Sequence, residues 1–90
     1  MQQKKLPNFS SKAKSVTVGS VYQHYKGLLY QIVAVCRHSE TLEEFVVYQA
    51  LYGDQEVWVR PLSLFLGDIF VDGDRRARFQ LIDSTTIQPS

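Results

Sequence analysis

The sequence predicts an all-β domain, a small SH3-like barrel of five to six short strands with one short helical turn near residues 61–65. Three observations predict it. Between Val16 and Asp83 the apolar residues mostly alternate with other residues at the period of a strand, not of a helix. Turn residues interrupt that pattern at short intervals, and Asp72-Gly73 after Ile69-Phe70-Val71 is the strongest two-residue hairpin signal. Pro61 has no N–H to give a ladder, so Pro61-Leu62-Ser63-Leu64-Phe65 reads as one helical turn between strands. Short strands, tight turns and a late helical turn suit a small bent barrel. An OB-type barrel fits less well, because it wants a longer chain and a fuller helix.

Strands are expected at 20–25, 29–37, 44–51, 56–60 and 68–72, with 75–82 as a sixth or as the closing strand. In the second, Tyr30, Ile32, Ala34 and Cys36 fall on one face and Gln31, Val33, Val35 and Arg37 on the other. Its β-branched density favours strand. The next segment matches two templates. Thr41-Leu42-Glu43-Glu44 resembles a helical capping box, with Gly53 as a possible stop. Phe45-Val46-Val47-Tyr48 is a run of strand formers, and a strand would pair back on residues 29–37 through a polar turn at 38–43. Strand is the reading adopted. Later, Val57 and Val59 alternate with Trp58 and Arg60, and Ala77, Phe79 and Leu81 with Arg76, Arg78 and Gln80.

Ninety residues, 44% apolar, make one globular domain and exclude a disordered or fibrous chain. No apolar run approaches the roughly 20 residues of a membrane span. No secretory signal is visible, and a single cysteine excludes a disulfide scaffold, so the expected setting is the cytoplasm. The formal charge of +1 divides unevenly. Residues 1–15 carry Lys4, Lys5, Lys12 and Lys14 and no acid, whereas residues 16–90 carry six basic and nine acidic side chains. The expected organisation is a flexible basic arm over 1–15, a domain over 16–83 and a flexible tail over 84–90.

Five motifs in order carry a resemblance. His24-Tyr25-Lys26-Gly27, His38-Ser39-Glu40-Thr41, Val46-Val47-Tyr48, Leu51-Tyr52-Gly53 and Trp58-Val59-Arg60-Pro61 resemble a bacterial family of short proteins, domain of unknown function 1653. The resemblance spans about residues 19–82. It implies a small soluble bacterial domain and carries no activity with it. The Lys-bearing arm and Cys36 depart from the family's usual pattern.

Several chemistries compete for the polar residues. His24 and His38 with Glu40 offer acid–base groups, but consecutive turn residues point in different directions, and the 38–41 stretch reads better as turn chemistry. Cys36, His38 and His24 fall short of a zinc pattern, so no metal and no cofactor is expected. The aromatics are too many for so small a core. With Val57, Val59 and Val47 inward, Trp58, Arg60 and Tyr48 face outward; the opposite parity puts Trp58 in the core and leaves Arg60 to snorkel or pair with Glu40 or Glu43. Tyrosine and tryptophan suit binding surfaces, having apolar bodies and polar tips.

The leading expectation is therefore a non-enzymatic binding module. Its surface would consist of Tyr22, His24, Tyr48, Trp58 and Arg60, bordered by His38 and Glu40, and would recognise a peptide or small polar ligand. Nucleic-acid binding through the Lys arm and the Arg75/Arg76/Arg78 edge is the alternative. It is weakened by a domain that is itself net acidic. A small enzyme using His24, His38 and Glu40 is the third reading. A protein or peptide partner is favoured, a membrane is not expected, and oligomeric state is not readable.

Overall fold

The computed structural model describes residues 6–83 and is mostly β, with antiparallel strands and two four-residue helices. After α1 (Ser11–Lys14), four strands meander: β1 (Val21–His24), β2 (Leu29–Arg37), β3 (Glu44–Ala50) and β4 (Val57–Pro61). The expected helical turn follows as α2 (Leu62–Phe65). β5 (Asp68–Val71) and β6 (Asp74–Ala77) form a separate hairpin, and β7 (Phe79–Asp83) returns to pair with β1. The main sheet has the order β4-β3-β2-β1-β7. The meander's last strand returns to pair with its first, and no pairing of β4 with β7 closes the sheet among the described residues.

The expected last strand is two strands. Arg78 sits between β6 and β7, where its N–H donates to the Gly67 carbonyl at 3.0 Å and its carbonyl accepts from Tyr25 N–H at 2.9 Å. That double tie separates the hairpin from the strand that rejoins β1. The hairpin turn is as expected, with φ of 53° at Asp72 and 84° at Gly73. Gly67 meets a different constraint, since a Cβ there would lie 2.9 Å from the Ser63 carbonyl oxygen.

Residues 44–50 are strand, not helix. Phe45 pairs with Cys36 and Glu44 with Arg37, and Leu42 at φ 65° departs from the helical alternative. A bulge in β2 skips Val33, because Ile32 opposes Tyr48 while Ala34 opposes Val47. One extra residue reverses the faces beyond it. Tyr30 and Ile32 therefore share the inner face with Val35 and Arg37, and Ala34 and Cys36 turn outward, which corrects the strict alternation expected for this strand. In β3, Val46, Tyr48 and Ala50 are buried, so placing Val47 inward is overturned.

The core centres on Phe65, which is fully buried and stacked on Phe79 at 4.2 Å and 12°. Tyr22 meets Phe65 edge-on at 5.1 Å and Tyr48 meets it at 5.3 Å. Ala13, within the expected arm, also joins this core. Ala13 and Val16, three apart on one turn, are buried within the cluster. Ser10 caps the turn by accepting from Ala13 N–H at 3.1 Å. Its own N–H and hydroxyl donate to the Glu44 carboxylate at 2.8 and 2.6 Å. The Arg37 guanidinium donates to the Pro7 carbonyl and lies 4.1 Å from the Phe9 ring centre. Composition alone missed this because two small apolar residues and one capping serine suffice to dock the segment. Residues 1–5, with Lys4 and Lys5, and the tail 84–90 lie outside the described residues.

The two Ser10 donors, with Arg37 nearby, hold the Glu44 carboxyl below the usual carboxylate range. The folded chain then binds fewer protons here than the unfolded chain, so this contribution is present above the ordinary carboxyl pKa and lost as pH falls through the lowered one. Ser10→Ala and Glu44→Gln should each speed amide exchange at Ala13 and Val16 by roughly fivefold at pH 7 and leave β2 and β3 unchanged. Unchanged exchange at both amides would mean the carboxylate does not hold the segment.

Candidate functional site

Antiparallel pairing collects the site at one end of the sheet. His24 ends β1, Tyr30 lies near the start of β2, Trp58 near the start of β4, and Phe79 opens β7. The register makes them neighbours: His24 opposes Phe79, Tyr22 opposes Tyr30, and Tyr48 opposes Trp58. Trp58 and Arg60 therefore project on the core side with Tyr48 and Val46, as the second parity expected. β4 is an edge strand, however, and Trp58 remains 49% exposed. It stands at the open rim of the core, neither sealed inside nor on the opposite face.

A cavity of about 210 Å³ lies between His24, Tyr30, Tyr48, Trp58, Arg60 and Phe79. Its walls hold one another edge to face. Tyr30 lies 5.3 Å from Tyr48 and 5.7 Å from Phe79, and Tyr48 lies 5.3 Å from Phe79, with interplanar angles of 78°, 81° and 69°. Arg60 donates from Nε to the Tyr48 hydroxyl at 3.1 Å, with its guanidinium 5.8 Å from the Phe79 ring centre. Its terminal nitrogens make no hydrogen bond and no ion pair among the described residues. The pairing to Glu40 or Glu43 considered from sequence is absent.

His24 packs at 5.0 Å against Phe79, and its Nδ1 accepts from Lys26 N–H at 3.2 Å. The neutral ring therefore carries its proton on Nε2. Burial, then the charges of Arg60, Lys26 and Arg78, push its pKa below the ordinary value. Tyr30 shares a 2.5 Å hydroxyl–hydroxyl hydrogen bond with Tyr52. Burial first, and that bond next, push the Tyr30 phenol up to about 12, so it is protonated throughout the physiological range.

Two further cavities share walls with this one. His24 also borders a cleft of about 450 Å³ with Gln23, Tyr25, Arg76 and Gln80. Trp58 also borders a cavity of about 180 Å³ with Ala50, Tyr52, Asp54 and Glu56. The three form a row across the sheet end, cationic on one side of Trp58 and acidic on the other. A larger cavity of about 590 Å³ separates α1 from α2, but its Glu44 is already engaged by Ser10.

Of the residues singled out from sequence, His24, Tyr48, Trp58 and Arg60 converge on one cavity. Tyr22 does not; it is a core residue against Phe65, and burial raises its phenol pKa. His38 and Glu40 lie beyond the far end of β2. That nine-residue strand separates them from His24 by roughly 25–30 Å at about 3.3 Å per residue. His38 Nδ1 accepts from the Glu40 and Thr41 N–H groups at 3.1 and 3.3 Å, the turn role expected of this stretch. The two histidines thus cannot act on one substrate atom. Cys36 faces outward, and no group of three metal-ligating side chains forms among the described residues. Of the three arginines near the hairpin, Arg75 pairs with Asp68 at 3.6 Å, Arg76 borders the cleft beside His24, and Arg78 Nε is buried without a hydrogen-bond partner among the described residues. Sequence reasoning left Tyr30 and Phe79 out of the site. Parity placed Tyr30 on the face of Ile32, but only the long-range β1–β7 pairing brings Phe79 to His24.

The family model for DUF1653, a protein of unknown function, matches residues 20–81. Among solved structures, the crystal structure of a DUF1653 protein from Bordetella bronchiseptica is similar, with 27% identity and a TM-score of 0.67 over 84% of this chain and 97% of that one. The curated proteins compared give no match.

Charges facing His24 come from Arg60 on β4, Lys26 in the β1–β2 turn and Arg78 between β6 and β7, and its ring neighbours are Tyr25, Tyr30 and Phe79. With its folded pKa depressed, the unfolded chain binds the extra proton first, so stability falls as pH drops through the ordinary histidine value of about 6.5. His24→Gln should flatten the pH dependence of the urea midpoint between about pH 7.5 and 5.5. An equally steep dependence in the variant would remove His24 as its source.

Proposed function

The chain belongs to the DUF1653 family, and we propose that it is a non-enzymatic binding module that recognises a peptide or small polar ligand at the row of cavities centred on Arg60. One observation carries the proposal: four residues singled out by chemistry converge on an open aromatic cavity whose guanidinium keeps terminal donors without a partner among the described residues. A central cavity of about 210 Å³ is smaller than the roughly 300–1,000 Å³ of drug-sized sites, so it takes one side chain or ring. The adjoining cavities suit the rest of an extended ligand. An enzyme reading gains little support, because the histidines are held apart and His24 Nδ1 is occupied by a backbone donor. The single free Cys36 supports a reducing, cytoplasmic setting. Nucleic-acid binding is the second reading, on Arg76 in the larger cleft. It predicts affinity that falls steeply with salt.

An array of immobilised hexapeptides of varied sequence tests the proposal with the full chain. Trp58→Ala should lose the peptides that the unaltered protein retains, while its stability stays within about 1 kcal/mol, as at exposed positions. Arg60→Gln should lose them too, at a cost of about 1 kcal/mol for the hydrogen bond to Tyr48. Retention of the same peptides by both variants, or a stability loss of several kcal/mol in Trp58→Ala, would remove the site.

A further inference from the structure

The charge distribution along the row of cavities narrows the ligand, and the narrowing rests on the reading just given. An aromatic cavity is ordinarily a good host for a cation, through ring faces. Here that occupant is excluded, because Arg60 lines the cavity and the charges of Lys26 and Arg78 reach His24 at its wall. Among the described residues no carboxylate borders the cavity. The guanidinium is held by Tyr48 through Nε alone, which leaves its terminal N–H groups as a fork for an anion. His24, with Nδ1 occupied, offers Nε2–H as a second donor in the same lining.

Across Trp58 the sign reverses. Asp54 and Glu56, with Tyr52 and Ala50, border the next cavity, and the Tyr30–Tyr52 hydrogen bond joins the walls of the two. A polyanion laid along this row would place successive phosphates against two carboxylates. A chain carrying one acid and one base would satisfy both cavities. The arrangement also fits an extended peptide, because the cavities adjoin: His24 is shared by the cleft and the central cavity, and Trp58 by the central and the acidic cavity.

We propose that the cavity row binds an extended peptide that places a carboxylate side chain against Arg60 and a basic side chain, about two residues away, against Asp54 and Glu56. Trp58 is the ridge over which the peptide crosses, its indole packing on the intervening residue. The cleft beyond His24 takes the chain on the other side.

Three synthetic hexapeptides test this with the full chain, read by Trp58 emission and by fluorescence anisotropy of a labelled peptide. One carries Glu and Lys two residues apart, one has Gln for Glu, and one has norleucine for Lys. Removing the peptide carboxylate should weaken binding about tenfold or more, and the same change should have no effect on Arg60→Gln. Removing the peptide ammonium should weaken binding about two- to fivefold, and only while Asp54 and Glu56 are intact; Asp54→Asn with Glu56→Gln erases the difference. Asp54 and Glu56 are exposed, so that double variant folds even if Arg60→Gln does not, and the peptide-side changes need no variant at all. Equal affinity for all three peptides, abolished by Trp58→Ala, would overturn the charge assignment and leave the binding module standing. No binding of any of the three, with an empty hexapeptide array, would overturn both. A single-stranded oligonucleotide that binds more tightly than the Glu/Lys peptide would overturn the choice of partner.

Discussion

The stacked pair of Phe65 and Phe79 is the contact on which the other features depend. Phe65 is the buried anchor of a helix only four residues long, too short to persist without tertiary packing. Phe79 begins the strand that returns to β1. Burying each ring is worth roughly 1.5–3 kcal/mol, and their mutual packing adds about 0.5–1.5 kcal/mol. That exceeds what any exposed ion pair contributes, so the rings fix the end of the sheet and the charges decorate it. Phe79 also meets His24, Tyr30 and Tyr48. The same ring is thus core on one side and cavity wall on the other.

The inner face of this small sheet receives more aromatic surface than it can enclose. Tyr22 and Tyr48 fill the space around Phe65, and Tyr30 closes against Tyr48 and Phe79. Trp58 arrives on the same side from an edge strand, where no further strand covers it among the described residues. Arg60, two residues on, spans the rim from the Tyr48 hydroxyl to the Phe79 ring. The core face left uncovered beside the edge strand β4 makes the cavity.

Much of this was legible in the sequence where local rules apply. Strand periodicity, the Asp72-Gly73 turn and the proline before α2 located the elements, and the aromatic surplus pointed to Tyr48, Trp58 and Arg60. What escaped were the features set by distant pairing. The bulge at Val33 has no local signature, yet it reverses the faces of Ala34, Val35, Cys36 and Arg37. The break at Arg78 depends on bonds to Gly67 and Tyr25, and it divides what alternation presents as one strand. Docking of residues 10–16 rests on Glu44, thirty-four positions from Ser10. The two parities weighed for Trp58 both treated the sheet as having only an inside and an outside. An edge strand gave a third position, inward-facing and still half exposed.

Trp58 stands at the open rim as the wall shared by a cationic and an acidic cavity. As the only tryptophan, it reports on itself. Its emission in the free folded chain should be red-shifted and readily quenched by acrylamide. A blue-shifted emission that resists the quencher would put the indole in a closed core and rule out a rim position.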